Sequence, residues 1–416
     1  MTVTHENNWA GNLTYRATAI HRPTSLGELR TLVASTDRIR ALGTRHSFHR
    51  VADTTGALVS VDGLPRQIDV DSAASTVRVS AGLRYAEIAS HVDGFALANM
   101  ASLPHISVAG ACATATHGSG VGNGSLATAV SALEMVTATG ETVTLSRGDP
   151  DFDGAVVALG ALGIVTAVTL DLVPAFEVRQ YVYEGLAFDE DVLAVLAGAY
   201  SVSLFTDWTG PTINQVWVKQ RTTDPELAVP AKPADGPRHP VPGMPAENCT
   251  QQLGVPGPWH ERMPHFRPEF TPSAGEELQA EFMVARVDAM AALRAVYEIR
   301  ERICPVLQIS EIRTIAADSL WLSPFYQRDA VSIHFTLAAD PDAVRPVLSV
   351  IERQLAPFAA RPHWAKLFTL APEVVRSRYP RLADFRDLTR RLDPEGKFRN
   401  DFVTELLAEP AGGARS

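Results

Sequence analysis

Ala41-Leu42-Gly43-Thr44-Arg45-His46-Ser47-Phe48 follows directly on Arg38-Ile39-Arg40, an alternating run that reads as a β-strand opening into a glycine loop. Glycine admits positive φ and lets backbone N–H groups converge on an anion, while Thr44 and Ser47 add hydroxyl donors. A second stretch of the same texture runs from Asn99 to Ser125. It contains Ala113-Thr114-Ala115-Thr116-His117-Gly118-Ser119-Gly120-Val121-Gly122-Asn123-Gly124. No Gly-Lys-Ser/Thr follows either loop, and neither has the glycine spacing and helix of the dinucleotide fingerprint. Taken singly, a Gly/Ser/Thr loop is most often a turn. Two of them, one placed after a strand and one long and rich in small residues, suit a pyrophosphate cradle that lacks a helix dipole.

Outward from the first loop, Thr24-Ser25 with Glu28 forms a capping box before a helical pattern of Leu26, Leu29, Leu32 and Val33. Short strands are expected at Leu58–Val61, Gln67–Val70 and Thr76–Ser80, and a helix from Tyr85 to about His91. A hairpin of Leu133–Thr137 and Glu141–Leu145 should turn at Thr139-Gly140. Ala155–Leu170, the longest apolar run, is broken by Gly160 and Gly163 and is shorter than the roughly 20 residues a bilayer span requires. It reads as a helix, a glycine turn and the strand Ile164–Val173. Interleaved short strands and helices without a regular βαβ repeat predict an α+β domain over residues 1–174.

Beyond Pro174 the pattern predicts a helix at Asp191–Tyr200 and strands at Ser203–Phe205 and Gln215–Lys219. Thr222–Pro268 then holds eleven of the 28 prolines, which excludes long helices and central strands. It is expected as an extended surface excursion; the functional alternative is a lid over a cleft. Strands at Gln279–Val284, Gln308–Ile315, Val331–Leu337 and Ala365–Leu370 alternate with helices at Asp288–Arg302 and Ala343–Leu355. That order predicts an antiparallel sheet covered by helices on one face, spanning residues 175–370, with 371–416 as a C-terminal segment packing back near the first domain.

The bulk properties narrow the function. At 416 residues, with 46% hydrophobic and 20% charged residues, the chain has the composition of a soluble two-domain protein. A net charge of −10 argues against nucleic-acid or anionic-membrane partners. Three widely spaced cysteines give neither a disulfide framework nor a zinc site. The polar start Met1–Asn12 lacks the apolar core of a signal peptide, so a cytoplasmic location is expected. A metal held by His46 and His49, with His105 or His117, would lack a carboxylate or thiolate at ligand spacing, so no metal is expected. On these grounds His46 alone is an ordinary loop histidine.

Both loops resemble a known family. Ala41 to Phe48 is similar to the first flavin loop of the vanillyl-alcohol-oxidase superfamily. Asn99-Met100-Ala101-Ser102-Leu103-Pro104-His105-Ile106-Ser107-Val108-Ala109-Gly110, followed by Thr116-His117-Gly118-Ser119-Gly120, is similar to its second. The wording is nearest to the alditol and xylitol oxidase group. The likeness continues through Asn8-Trp9-Ala10-Gly11-Asn12, Ser201–Trp208, His239–Pro268, Leu392-Asp393-Pro394 and Gly396-Lys397-Phe398. The resemblance implies a two-domain flavoprotein, FAD-binding domain plus cap, with FAD bonded covalently to His46. Cofactor contacts are implied at Leu42, Gly43, Thr44, Arg45, His46, Ser47, Ser102, Ser107, Val108, Ala109, Gly110, Cys112, Thr114, Gly118, Ser119, Gly120, Gly163, Ile164 and Val165. Arg45 stands where the better-known alditol oxidase loops often carry glycine.

In the second half, Glu311 and Arg313 lie two apart, as do His334 and Thr336, so each pair points to one face of its strand. Lys366 follows His363-Trp364-Ala365. Singly, such pairs most often lie on a solvated sheet face; together, flanked by apolar residues, they suit a wall of polar groups aimed into a cavity. The resemblance implies that Glu311, Arg313, His334, Thr336, Lys366 and Ser102 bind a polyol. It further implies that a terminal CH–OH carbon gives a hydride to flavin N5, with Lys366 as base, Arg313 and Glu311 assisting, and O2 reduced to H2O2. Ala101 is small enough to admit oxygen, and a monomer is expected. The rivals are an aldonolactone oxidase or dehydrogenase of the same superfamily, and a flavin-binding protein without catalysis.

Overall fold

The computed structural model describes residues 6–409 except 190, 272 and 274. Residues 1–5 of the polar start and 410–416 of the C-terminal segment lie outside the described part. The strand that opens into the first loop is Ile39–Ala41, an edge of a small parallel sheet with Ala57–Val59 at its centre and Ala19–His21 beyond. The helix Leu26–Ser35 crosses over it. Ser25 caps that helix by accepting from the Glu28 N–H, while the Glu28 carboxylate accepts from the Thr24 N–H rather than closing the expected box on Ser25.

A five-stranded antiparallel sheet follows, in the order Ile68–Asp71, Thr76–Ser80, Ile164–Asp171, Val130–Val136, Thr142–Ser146. The expected hairpin turns at Gly140, whose φ is +83°. The broken apolar run resolves into the helix Phe152–Val156, a turn with Gly160 at φ +68°, and the strand Ile164–Asp171.

The second half is organised on a nine-stranded sheet. Its central order is Glu177–Ala187, Thr212–Arg221, Ser201–Thr206, Leu307–Ile315, Ala330–Leu337, Leu278–Ala285, with short strands at the edges. Every pairing is antiparallel. Register decides what each face carries. Leu204, Ile312, Ile333 and Phe282 stand opposite one another across four strands and are fully buried under the helices Asp191–Ala197, Ala289–Glu298 and Pro341–Leu355. Each such side chain contributes roughly 1.5–3 kcal/mol by leaving water. One residue along, the same register aligns Phe205, Glu311, His334 and Glu281 on the opposite face. Helices therefore cover one face only, and the other is free to form a wall.

One strand went unread in the sequence, and two expectations are corrected. Glu177–Ala187 is a full strand that the alternation did not disclose, because its buried row carries Gln180 between Val178 and Val182. Ala365–Leu370 is not a strand: only Arg361–Pro362 pairs with the sheet, and the chain then turns, with the Lys366 N–H donating to the His363 carbonyl. Thr222–Pro268 is a surface excursion only in part: most of it is exposed or half-buried, but its second half turns inward. It buries Cys249, Trp259, Met263, His265 and Phe266, and the N–H groups of His265 and Phe266 both donate to the Ser102 carbonyl.

The two halves meet through both backbone and side chains. Gly120 bridges Ile315 in parallel, its N–H donating to the Thr314 carbonyl at 2.9 Å. The C-terminal segment returns to the first half: Asn400 donates to the carbonyls of Arg50, Val51 and Asp53, and Lys397 Nζ to those of Val33 and Ala34. No helix among the described residues is long and apolar enough to cross a membrane.

Candidate active site

Both glycine loops and the uncovered face of the large sheet line one cavity of about 710 Å³. Where the two loops meet, its lining is built around the Ser107 hydroxyl. A Cβ at Gly43 would lie 2.7 Å from Ser107 Oγ, and one at Gly110 2.8 Å from the same atom, so both glycines leave room for that hydroxyl in its present rotamer. Thr44 Oγ1 accepts from the Ser107 N–H and ties the first loop to the second. Leu42, Gly43, Thr44, Arg45, His46, Ser47, Ser102, Ser107, Ala109, Gly110, Cys112, Thr114, Gly163 and Val165 all line the cavity.

Five expected cofactor contacts do not. Val108 and Ile164 turn into the apolar cores. Gly118, Ser119 and Gly120 pack against the large sheet and its neighbours: a Cβ at Gly118 would strike Met100 O at 2.2 Å, and Ser119 Oγ donates to the Val202 carbonyl at 2.5 Å. Their neighbour His117 lines the cavity instead.

His46 stacks on Trp9, with ring centroids 5.4 Å apart and planes 18° from parallel. Its Nδ1 is buried without a hydrogen-bond partner. Burial lowers its pKa to about 4, with His105 and Lys366 adding to the effect, so the ring is a neutral imidazole at neutral pH. The preceding residue, Arg45, holds φ +66°, the left-handed region that favours glycine, and its guanidinium reaches Glu6 at 2.6 Å.

On the wall, Arg313 Nη2 donates to Glu281 Oε1 at 2.7 Å, Nη1 lies 3.4 Å from Ser102 Oγ, and Nε is 3.5 Å from Glu311 Oε1. His334 Nε2 is 3.3 Å from Thr336 Oγ1, and its Nδ1 is 3.4 Å from Glu281 Oε2. Burial alone would raise the Glu281 and Glu311 carboxyls. Arg313 outweighs it at both, aided by His117 and His334 at Glu281 and by His265 at Glu311, and holds both well below the usual range. Lys366 reaches the same space from its turn, donating to Gln279 Oε1 with its ammonium 5.1 Å from the Phe48 ring centre. Burial, seconded by Arg313 and opposed by Glu281, lowers Lys366 to about 8.

The structure thus brings Ser102, Glu311, Arg313, His334, Thr336 and Lys366 together, and adds residues that the sequence analysis missed. Gln279 and Glu281 carry the same two-residue spacing as the recognised pairs, on a strand that was expected; that signal was present. His117 stood in the sequence only as part of the second loop and of a rejected metal set. His363 and His265, which also line the cavity, and Lys219 behind His265 gave no signal, because only tertiary folding brings them together. Among the described residues His117, Glu281 and His363 also place donor atoms within 4.8 Å of one another. Glu281 is already engaged by Arg313 there, and His363 Nδ1 accepts from the Ala365 N–H, so the neutral ring carries its hydrogen on Nε2.

Comparison with known proteins gives this arrangement a lineage. The chain is 54% identical over 407 residues to an alditol oxidase of Streptomyces sp., covering 96% of this chain and 98% of that one. It belongs to the alditol oxidase family of the vanillyl-alcohol-oxidase superfamily. A family model described as an FAD binding domain matches residues 17–146, and one described as D-arabinono-1,4-lactone oxidase matches 277–406. An L-gulono-1,4-lactone dehydrogenase of Mycobacterium tuberculosis is 28% identical, over 96% of this chain and 98% of its own. In fold the family member resembles the crystal structure of cholesterol oxidase from B. sterolicum. The TM-score is 0.79 at 15% identity, over 97% of this chain and 96% of that one.

Proposed function

We propose that the protein is an FAD-dependent oxidase that converts the terminal hydroxyl of sugar alcohols such as xylitol and sorbitol to the aldose, with O2 reduced to H2O2. What carries this is one continuous cavity, with the Gly43/Gly110/Ser107 cradle in one part and Glu311, Arg313, His334, Thr336 and Lys366 in the other. A linear polyol presents a hydroxyl on every carbon, and a wall of paired charges and hydroxyls would bind it while rejecting analogues that leave those groups unpaired.

The cradle and the unpartnered Nδ1 of His46 fit FAD, with His46 as the covalent attachment point. When bound, FAD supplies the hydride acceptor and passes its electrons to oxygen. Lys366, lowered to about 8, takes the alcohol proton at Nζ, held for that task by Gln279. Arg313 offsets negative charge developing at the reacting centre, and Glu311 accepts a substrate hydroxyl. Ser102, His334 and Thr336 register the remaining hydroxyls, and Ala101 keeps the neighbouring space open to oxygen.

Anaerobic mixing of the yellow protein with xylitol, sorbitol and shorter polyols should bleach the flavin, and admitted air should restore it with stoichiometric peroxide. Bleaching by gulono- or galactonolactone and not by any polyol would replace this function with that of a lactone oxidoreductase. Acid-precipitated protein should keep its yellow colour, and His46→Ala should release it.

A further inference from the structure

Lys219 is buried in the strand Thr212–Arg221, beyond the wall residues, and its ammonium is fully engaged. Nζ donates to the Met263 carbonyl, to the Pro264 carbonyl at 2.9 Å and to His265 Nδ1 at 3.0 Å. His265 Nε2 in turn lies 2.8 Å from Glu311 Oε1. Phe205 and Trp217 stand edge-on to the His265 ring, at 5.6 and 5.2 Å.

An ammonium can only donate, so Nδ1 of His265 accepts and a neutral ring must carry its single hydrogen on Nε2. That hydrogen points at the Glu311 carboxylate. We propose that Lys219 and His265 are positioning residues for Glu311: the lysine fixes the histidine tautomer, the histidine donates to one carboxylate oxygen, and the other is left to accept a substrate hydroxyl. The last clause rests on the polyol oxidase function proposed above; the tautomer does not.

The electrostatics agree with the geometry. Burial, with Lys219 nearby, lowers His265 to about 4, so the ring holds one hydrogen at neutral pH. Burial lowers Lys219 to about 7; of the charged and titratable groups facing it, Glu311 and Cys249 oppose this shift, while Arg313 adds to it. His265 is its remaining neighbour. Once Lys219 loses its proton, two N–H groups stay on the carbonyls and its lone pair faces Nδ1. The ring hydrogen then moves to Nδ1, and Nε2 turns a lone pair toward the carboxylate.

The tautomer can be read directly by ¹⁵N NMR of histidine-labelled holoenzyme, with His265 assigned by its loss in His265→Gln. At pH 6 the hydrogen is expected on Nε2; finding it on Nδ1 overturns the proposal. In steady-state kinetics Lys219→Met and His265→Leu should each raise the polyol KM roughly ten- to a hundred-fold, as for a lost bond to a charged group, with kcat much less affected. His265→Gln, whose amide donates and has no tautomer, should recover most of that loss, and adding Lys219→Met to it should change little. An equal effect of Lys219→Met in both backgrounds would reduce the lysine to a packing element and overturn the idea. Should Lys219→Met fail to fold, the KM of the wild type should still rise above pH ~7 and stay flat in His265→Gln, consistent with the lowered lysine; the same rise in both overturns it. A wild type that no polyol reduces defeats the proposed function, while the NMR result stands on its own.

Discussion

Arg45 shows how much one residue can carry. An L-residue at φ +66° is strained by about 1–2 kcal/mol relative to glycine, and its ion pair with Glu6 is exposed and returns little. Arg45→Gly should therefore leave the melting temperature equal or slightly higher, with flavin content unchanged, as absorbance per protein would show. Lys366→Met should slow anaerobic flavin reduction by roughly 10²–10⁴, the usual loss of an acid/base group. In the wild type the amine is the active form, so the reduction rate should climb as pH rises through about 8 and then level off. A rate flat from pH 6 to 10 would remove Lys366 as the base. Single residues were legible in the sequence where they stood in a motif or at strand spacing, as His46 and Glu311 did. Lys219 and His265 are 46 positions apart and meet only in the fold.

At the scale of elements, neighbours far along the chain complete one another. The helix Leu26–Ser35 has its last carbonyls covered by Lys397 Nζ, 2.7 Å from Val33 O and 3.2 Å from Ala34 O. Lys397→Met strips those acceptors of a charged donor and should cost about 1.5–3 kcal/mol of unfolding free energy in a denaturant titration. Gly154, in the helix Phe152–Val156, has the Trp321 ring 2.4 Å and Leu388 Cδ2 2.9 Å from where a Cβ would sit. Gly154→Ala should destabilise by about 1–3 kcal/mol through overpacking. Strands with clean alternation, such as Thr76–Ser80, could be read from sequence; Glu177–Ala187 could not, because the Gln180 amide, which donates to the Thr250 carbonyl, replaces an apolar side chain. Proline density in Thr222–Pro268 correctly excluded long regular elements. It said nothing of burial, which depends on what the irregular chain packs against.

Across the whole molecule, burial of neutral histidines sets the response to acid. His46 and His265 are lowered to about 4 and His49 to about 3, chiefly by burial. The unfolded chain protonates these rings near pH 6.5 and the folded one only below 4, so unfolding takes up protons between those limits. The histidines' own contribution is fully present above pH ~6.5 and should fall by roughly 1.4 kcal/mol per pH unit for each of them below it. Lys219 and Lys366, lowered to about 7 and 8, already cost stability as pH falls toward those values. Glu281 and Glu311, held low by Arg313, add a further loss below pH ~4.5 as the unfolded carboxyls take up protons first. Melting temperatures from pH 8 to 4 should trace this decline; a curve level from pH 6.5 down to 4.5 would contradict it. The bridge from Gly120 to Ile315 fastens the second glycine loop to the strand that carries Glu311 and Arg313, and it does so through main-chain atoms alone. Because this tie is main-chain, substitution of the inward side chains can retool the wall without undoing it, whereas the ties of Arg313 to Ser102 and to the His117 carbonyl change with the wall itself.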